Sequence, residues 1–248
     1  MELFDYVWIP KFSVAVEELK KLAMSENWDY TENPTGRNPI LVNYIHHTFK
    51  KIYSENKIES SGEYACFNIG LVTENQEEIY AYIMKNKKPG TLIPFYFKGW
   101  RKSSDRDLSK FGKLGESALY IQEASDLIYD VKLELRINID HIIEDNKKRF
   151  PKPFDKMDNH LLSNLLNGTI EDAKRRVKRN YKTAIPQYYG GKLQLLLPLC
   201  LHTKAKADLA LVVEKENGVY RASTCLTLDM AINNARLIAK PDDEWLKI

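Results

Sequence analysis

Along the first fifth of the chain, apolar residues recur every three or four positions. Val14, Leu19, Leu22 and Ala23 predict a short helix over 13–25, with Ser13 as its N-cap. After the loop "ENWDYTENPTGRNP", Leu41, Tyr44, Ile45, Thr48, Phe49 and Ile52 predict a second helix, capped by Asn38 with Pro39 in its first turn. "GEYACFNIGLV" then reads as a strand. The capping box Thr73-x-x-Gln76 predicts a helix through the residues that follow it. "KKPGTLIPFYFKGWRKSSDRDLSKFG" combines short aromatic strands with loop chemistry.

The pattern changes in the second half. Leu133, Leu135, Ile137 and Ile139 alternate with Glu134, Arg136, Asn138 and Asp140, the signature of a half-buried strand. A helix follows, with Thr169 as its cap and Glu171 and Asp172 in its first turn. "KLQLLLPLCL" predicts a buried strand, and Asn217-Gly218 predicts the turn of a hairpin. Thr227 caps a terminal helix reaching about Ile238. No repeat, low-complexity linker or compositional shift is visible. The pattern therefore predicts one α+β domain over residues 1–248. Its helices lie mostly in the first third, with a helical portion of about 1–60 packed on the body, and an antiparallel-rich sheet and a C-terminal helix complete it.

Composition narrows the function classes. A hydrophobic content of 44% suffices for a real core, and a formal charge of +3 means that any polyanion must be held by local clustering. Cys66, Cys200 and Cys225 are far apart in apolar runs, as buried free thiols of a reducing cytoplasm would be. The start "MELFDYVWIPKF" carries Glu2 and Asp5, which speaks against a signal peptide. No apolar run is long enough to span a bilayer, so no membrane partner is expected.

Three constellations could carry chemistry. Between Lys174 and Lys182 there are six basic residues and no acid. On a helical wheel Ile170, Ala173, Val177, Tyr181 and Ala184 share a narrow arc, leaving Arg175, Lys178, Arg179 and Lys182 outside it. Such a face suits a phosphate chain, or else acids supplied from elsewhere in the fold. In "ELRINIDH", Arg136 could hold a phosphate, Asn138 a base edge or sugar hydroxyl, and His141 could move a proton. The alternative is a solvated strand with a local ion pair. On the terminal helix Asp229, Asn233 and Arg236 form one stripe, either a pocket wall or a surface ladder. His46 and His47 diverge by about 100° and cannot easily share a metal. No metal-ligand cluster, Walker A loop, GxGxxG, HExxH or GxSxG motif is present, so neither metal nor cofactor is predicted.

"YACFNIGLVTENQEEIYAYI", "LELRINIDHIIEDNKKRFP", "AKRRVKRNYKTAIPQYYGGKLQLLLPLCL" and "LTLDMAINNARLIAKPDDEWL" together resemble an uncharacterised "domain of unknown function" family of about 250 residues. The resemblance runs from about Asn38 to Leu246 and departs at Ile232, where the family usually has tyrosine. Members of that family occur alone or joined to cold-shock and OST-HTH (LOTUS) modules, which implies RNA metabolism by association. The expectation is an RNA-associated protein with an electropositive phosphate- or nucleotide-binding cleft. Arg175, Lys178, Arg179 and Lys182 would be its anchors, Tyr188 and Tyr189 its stacking rings, and Gln187 and Lys192 would add polar contacts. One alternative is a metal-independent enzyme acting on a phosphoester or RNA terminus, with Arg136, His141 and Asp229 as catalytic groups and Asn138, Asn233 and Arg236 positioning substrate. A second is a scaffold that binds protein through aromatics between Phe95 and Trp100.

Overall fold

In a computed structural model, described here for residues 1–31 and 33–239, the chain is of the α+β class. Its residues gather into two compact units, 1–119 and 120 onward, although composition shows no break there. The first unit contains α1 (Leu3–Tyr6), β1 (Val7–Trp8), α2 (Phe12–Leu22), α3 (Pro39–Ser54), β2 (Glu59–Ser61), β3 (Tyr64–Val72), β4 (Glu78–Lys85) and β5 (Phe95–Lys102). The second contains β6 (Leu135–Ile137), α4 (Ile139–Asn146), α5 (Asn159–Arg179), β7 (Ile185–Tyr189), β8 (Lys192–Leu199), β9 (Leu209–Glu216), β10 (Val219–Thr227) and α6 (Leu228–Arg236).

Both units follow one plan. The first sheet is ordered β1-β5-β4-β3-β2 and the second β6-β10-β9-β8-β7. Each begins with a strand, crosses through two helices, and continues as a four-strand antiparallel meander whose last strand returns parallel to the first. In each, the last strand carries a bulge against its predecessor: between Phe97 and Gly99 in β5, and between Arg221 and Thr224 in β10. Gly99 sits at φ 129°, which a side chain would strain.

Several elements differ from the sequence pattern. The helix expected after Thr73 is the strand β4. Thr73 does accept a hydrogen bond, from Glu77 N at 3.2 Å, but in a hairpin loop where Gln76 has φ 63°. Ile79, Ala81 and Ile83 alternate with Tyr80 and Tyr82, and pairing with β3 and β5 outweighs the local cap. The long strand over 133–139 stops at Ile137 because Asn138 caps α4, its Oδ1 accepting from His141 N at 3.2 Å. The basic helix does not start at Thr169. It is the second half of α5, whose cap is Asp158, while Thr169 Oγ1 donates within the helix to Leu165 O at 2.9 Å. The apolar stripe Leu162, Leu166, Ile170, Ala173, Val177 is continuous through that point. Tyr181 lies beyond the helix and is exposed, so it anchors nothing. The Asn217-Gly218 turn and the Thr227 cap are as expected, Thr227 Oγ1 accepting from Met230 N.

In the second unit α4 and α5 cover one face of the sheet, burying Leu195, Leu197, Leu211, Val213 and Tyr220 with the α5 stripe. On the other face α6 packs against β7, β9 and β10 through Ala231, Ile232 and Ala235. Among the described residues no helix is long and apolar enough to cross a membrane.

Candidate functional site

The basic half of α5 faces away from the core, because Ile170, Ala173 and Val177 take the buried arc. With Lys204, from the β8–β9 connection, Arg175, Arg176, Lys178 and Arg179 line a groove of about 630 Å³ in which Asp172 is the single carboxylate. The charges are not equally available. Lys174 pairs with Glu171 at 2.7 Å and Arg175 with Asp172 at 3.0 Å, each one turn back, so the start of the run is locally balanced. Arg176 donates to the Lys204 carbonyl, which holds the groove's far wall. Lys178 and Arg179 are exposed, and their side chains have no acid partner among the described residues. Lys182 is exposed just past the helix. A guanidinium and an ammonium beside each other without an acid partner among the described residues suit an anion that supplies its own negative charge.

The connection carrying Lys204 is stapled. His202 Nδ1 lies 2.7 Å from Asp208 Oδ1 and Nε2 lies 3.0 Å from Lys152 O, with the Phe154 ring edge-on at 4.7 Å. Asp208 also accepts from the backbone N–H of Leu201 at 2.6 Å and of His202 at 3.0 Å. The hydrogen bond to Asp208, followed by that to the Lys152 carbonyl, raises the His202 pKa above its ordinary value.

A second concavity lies on the opposite face of the same sheet. A cleft of about 450 Å³ is lined by Arg136, Asn138, Gln194, Glu214, Glu216, Arg221, Ser223 and Thr224, with Ile137, Val212 and Ala222 as its apolar part. Behind it runs a chain of fixed amides. Asn234 of α6 donates to Gln187 Oε1 at 3.1 Å, Gln187 Nε2 donates to Gln194 Oε1 at 2.9 Å, and Gln194 Nε2 donates to Glu214 Oε2 at 2.9 Å. Glu214 Oε1 takes Lys192, whose ammonium this bond holds above its usual pKa. Burial works against the Glu214 carboxylate, yet the hydrogen bonds from Lys192 and Gln194 hold it below the usual range. At the β10 bulge Thr224 Oγ1 donates to the buried Asn146 at 3.0 Å and accepts from Arg149 at 3.2 Å.

The sequence-derived candidates thus divide. Arg136 and Asn138 share the cleft, Gln187 and Lys192 connect to it through Gln194 and Glu214, and Arg175, Lys178 and Arg179 share the groove. Arg136 is bound by Glu134 through Nε at 2.9 Å and Nη2 at 2.8 Å, so it stands as half of an ion pair. His141 and Asp229 are not part of the cleft lining: His141 Nδ1 lies 3.2 Å from Asp145 on α4, and Asp229 is in the first turn of α6. On α6 Asn233 is half-buried and Arg236 is buried. Tyr188 meets Tyr120 edge-on at 4.8 Å, whereas Tyr189 is exposed on the Gln187 side of β7, opposite Lys192. Phe95 and Trp100, part of the proposed protein-docking segment, are buried in the first unit, with Trp100 Nε1 donating to Ala15 O.

Gln194, Glu214, Arg221 and Lys204 were not singled out from sequence. The first two had a signal, each being a polar residue in or ending an apolar strand run. The other two read as ordinary hairpin and loop charges. Among the described residues no three His, Cys, Asp or Glu side chains gather as a metal site would require.

These features describe a protein of the α+β class built from two similarly wound units, with a cationic groove and a polar cleft on opposite faces of its second sheet. The chain belongs to the family described as Domain of unknown function (DUF3825), whose model matches residues 19–245 and bears out the resemblance to such a family of about 250 residues. No curated protein and no solved structure matches it.

Proposed function

We propose that this is an RNA-associated protein of the cytoplasm, acting in RNA metabolism, which holds the phosphate backbone in the α5–Lys204 groove. The observation that supports this reading is the charge of that groove: four basic residues of one helix and Lys204 surround one carboxylate, and Lys178 and Arg179 have no acid partner among the described residues. A backbone phosphate supplies the missing charge and releases counterions on binding. The resemblance to relatives joined to cold-shock and OST-HTH modules favours RNA over other polyanions, and the three free cysteines suit a reducing compartment.

The test is equilibrium binding of a single-stranded RNA oligomer over a salt series. Affinity falls with salt, and Lys178→Ala with Arg179→Ala lowers the log–log slope by about 1.4, from roughly 0.7 per lost contact. Absence of binding at micromolar RNA, or binding indifferent to salt, overturns the reading.

A further inference from the structure

The cleft and the groove lie on opposite faces of one sheet, and their charge differs in kind. In the cleft every cation has its own acid. Arg136 pairs with Glu134 at 2.8 Å, Arg221 with Glu216 at 3.2 Å, and Lys192 with Glu214. A phosphate entering there would have to break one of these pairs and would confront Glu214 and Glu216. The surplus charge that makes the groove a phosphate site is absent from the cleft lining.

What the cleft does offer is oriented, neutral-ligand chemistry. Gln187 is buried and uses both ends of its amide, which fixes Gln194, which in turn fixes Glu214. The Glu214 carboxylate has accepting capacity left after Gln194 and Lys192 are satisfied, since two oxygens offer about four lone-pair sites. Asn138 spends Oδ1 on the cap of α4, which leaves its Nδ2 as a donor. Ser223 stands exposed at the bulge, and Val212 supplies apolar surface. A volume of about 450 Å³ lies within the span of small-molecule sites, roughly 300–1,000 Å³.

The first unit supplies a contrast. Its sheet has the same plan, but the face away from α2 and α3 is filled by its own chain. Leu108 and Phe111 pack on Tyr80 and Tyr82, and Lys110 Nζ sits 3.8 Å from the centre of the Tyr64 ring and donates to Tyr82 Oη at 2.6 Å. Of two sheets wound alike, the second keeps part of that face open.

We propose that this cleft binds an uncharged, amino-bearing heteroaromatic ring of the nucleobase class. Glu214 accepts from the amino group and Asn138 Nδ2 donates to a ring acceptor. A carboxylate is matched by the amino edges of cytosine, adenine and guanine, whereas uracil presents carbonyls beside its one N–H. The proposal goes beyond the backbone binding proposed above and does not depend on the α5 groove.

Calorimetric titration of the full chain with cytidine, adenosine, guanosine, uridine and their 5′-monophosphates tests it. At least one amino-bearing nucleoside binds about tenfold or more tightly than uridine, and its 5′-phosphate adds less than about threefold. Glu214→Gln weakens that binding at least about tenfold, while Lys178→Ala with Arg179→Ala, the variant expected to impair RNA binding, leaves it unchanged. Should Glu214→Gln fail to fold, Ser223→Trp, at an exposed position, blocks the cleft and abolishes binding. Absence of nucleoside binding at millimolar concentration, equal binding of uridine, equal binding by the folded variants, or affinity carried mainly by the phosphate overturns the proposal. In the wild-type protein, nucleoside binding without RNA binding rejects the groove alone, and RNA binding without nucleoside binding rejects the cleft alone.

Discussion

His202 holds both ring nitrogens against acceptors, the Asp208 carboxylate and the Lys152 carbonyl. Only the doubly protonated imidazolium can donate to both. Its folded pKa is raised above 6.5 by the Asp208 hydrogen bond first and the Lys152 carbonyl second. The sign follows from linkage: the stabilisation is full below the unfolded pKa and is lost as pH rises through the folded one. Thermal unfolding of wild type and His202→Gln from pH 5.5 to 9 should show a gap that is widest at the acid end and closes toward alkaline pH. A gap that widened with pH would mean a neutral His202. None of this was legible in the sequence, where His202 and Asp208 are two polar residues of a loop, six apart. The candidates that were legible, Arg136 and Asn138, stood out because they are polar positions in a regular alternation.

Among the elements, α5 shows how far periodicity reaches. Its buried stripe was visible from Ile170 onward, and the same spacing continues back to Leu162, which the cap reading at Thr169 cut short. Leu166 is fully buried in the second core, whereas Leu161, five residues earlier, is 58% exposed. Leu166→Ala should therefore cost about 2–5 kcal/mol in urea unfolding, and Leu161→Ala should stay within about 0.5 kcal/mol. Equal effects would mean a different face of α5 is buried. β4 is the opposite case: Thr73 and Gln76 satisfied the spacing of a capping box, and pairing on both edges made a central strand instead. A cap contributes about 1 kcal/mol, less than eight residues of two-sided pairing and burial.

The two units carry their cysteines differently. Cys66 lies in the first and Cys200 and Cys225 in the second, and all three are free. Burial pushes the Cys66 thiol up to about 12 and the Cys225 thiol up to about 11, and it also raises half-buried Cys200. A thiol reagent at pH 8 should label Cys200 first in the native protein, and all three only after denaturation. Cys200→Ser removes the faster phase. Rapid native labelling of Cys66 or Cys225 would contradict the cores described. The common plan of the two units had no counterpart in the sequence, because strand order, parallel closure and a shared bulge position constrain backbone geometry and leave side-chain identity free.

Local information was sufficient for the features whose physics is local. The α3 and α5 stripes, the Asn217-Gly218 turn, the Thr227 cap and the α+β class follow from spacing and backbone preference within a few residues. The basic run was equally plain, but its availability was not. Glu171 and Asp172 neutralise its start, and Lys204, reached through a loop, completes the groove around Lys178 and Arg179. Likewise Gln187, Gln194 and Glu214 become a single hydrogen-bonded row only in the register of three neighbouring strands. Which charges cancel, which amides lock together and which face stays open depend on contacts between distant segments, and only the folded chain brings those segments within reach of one another.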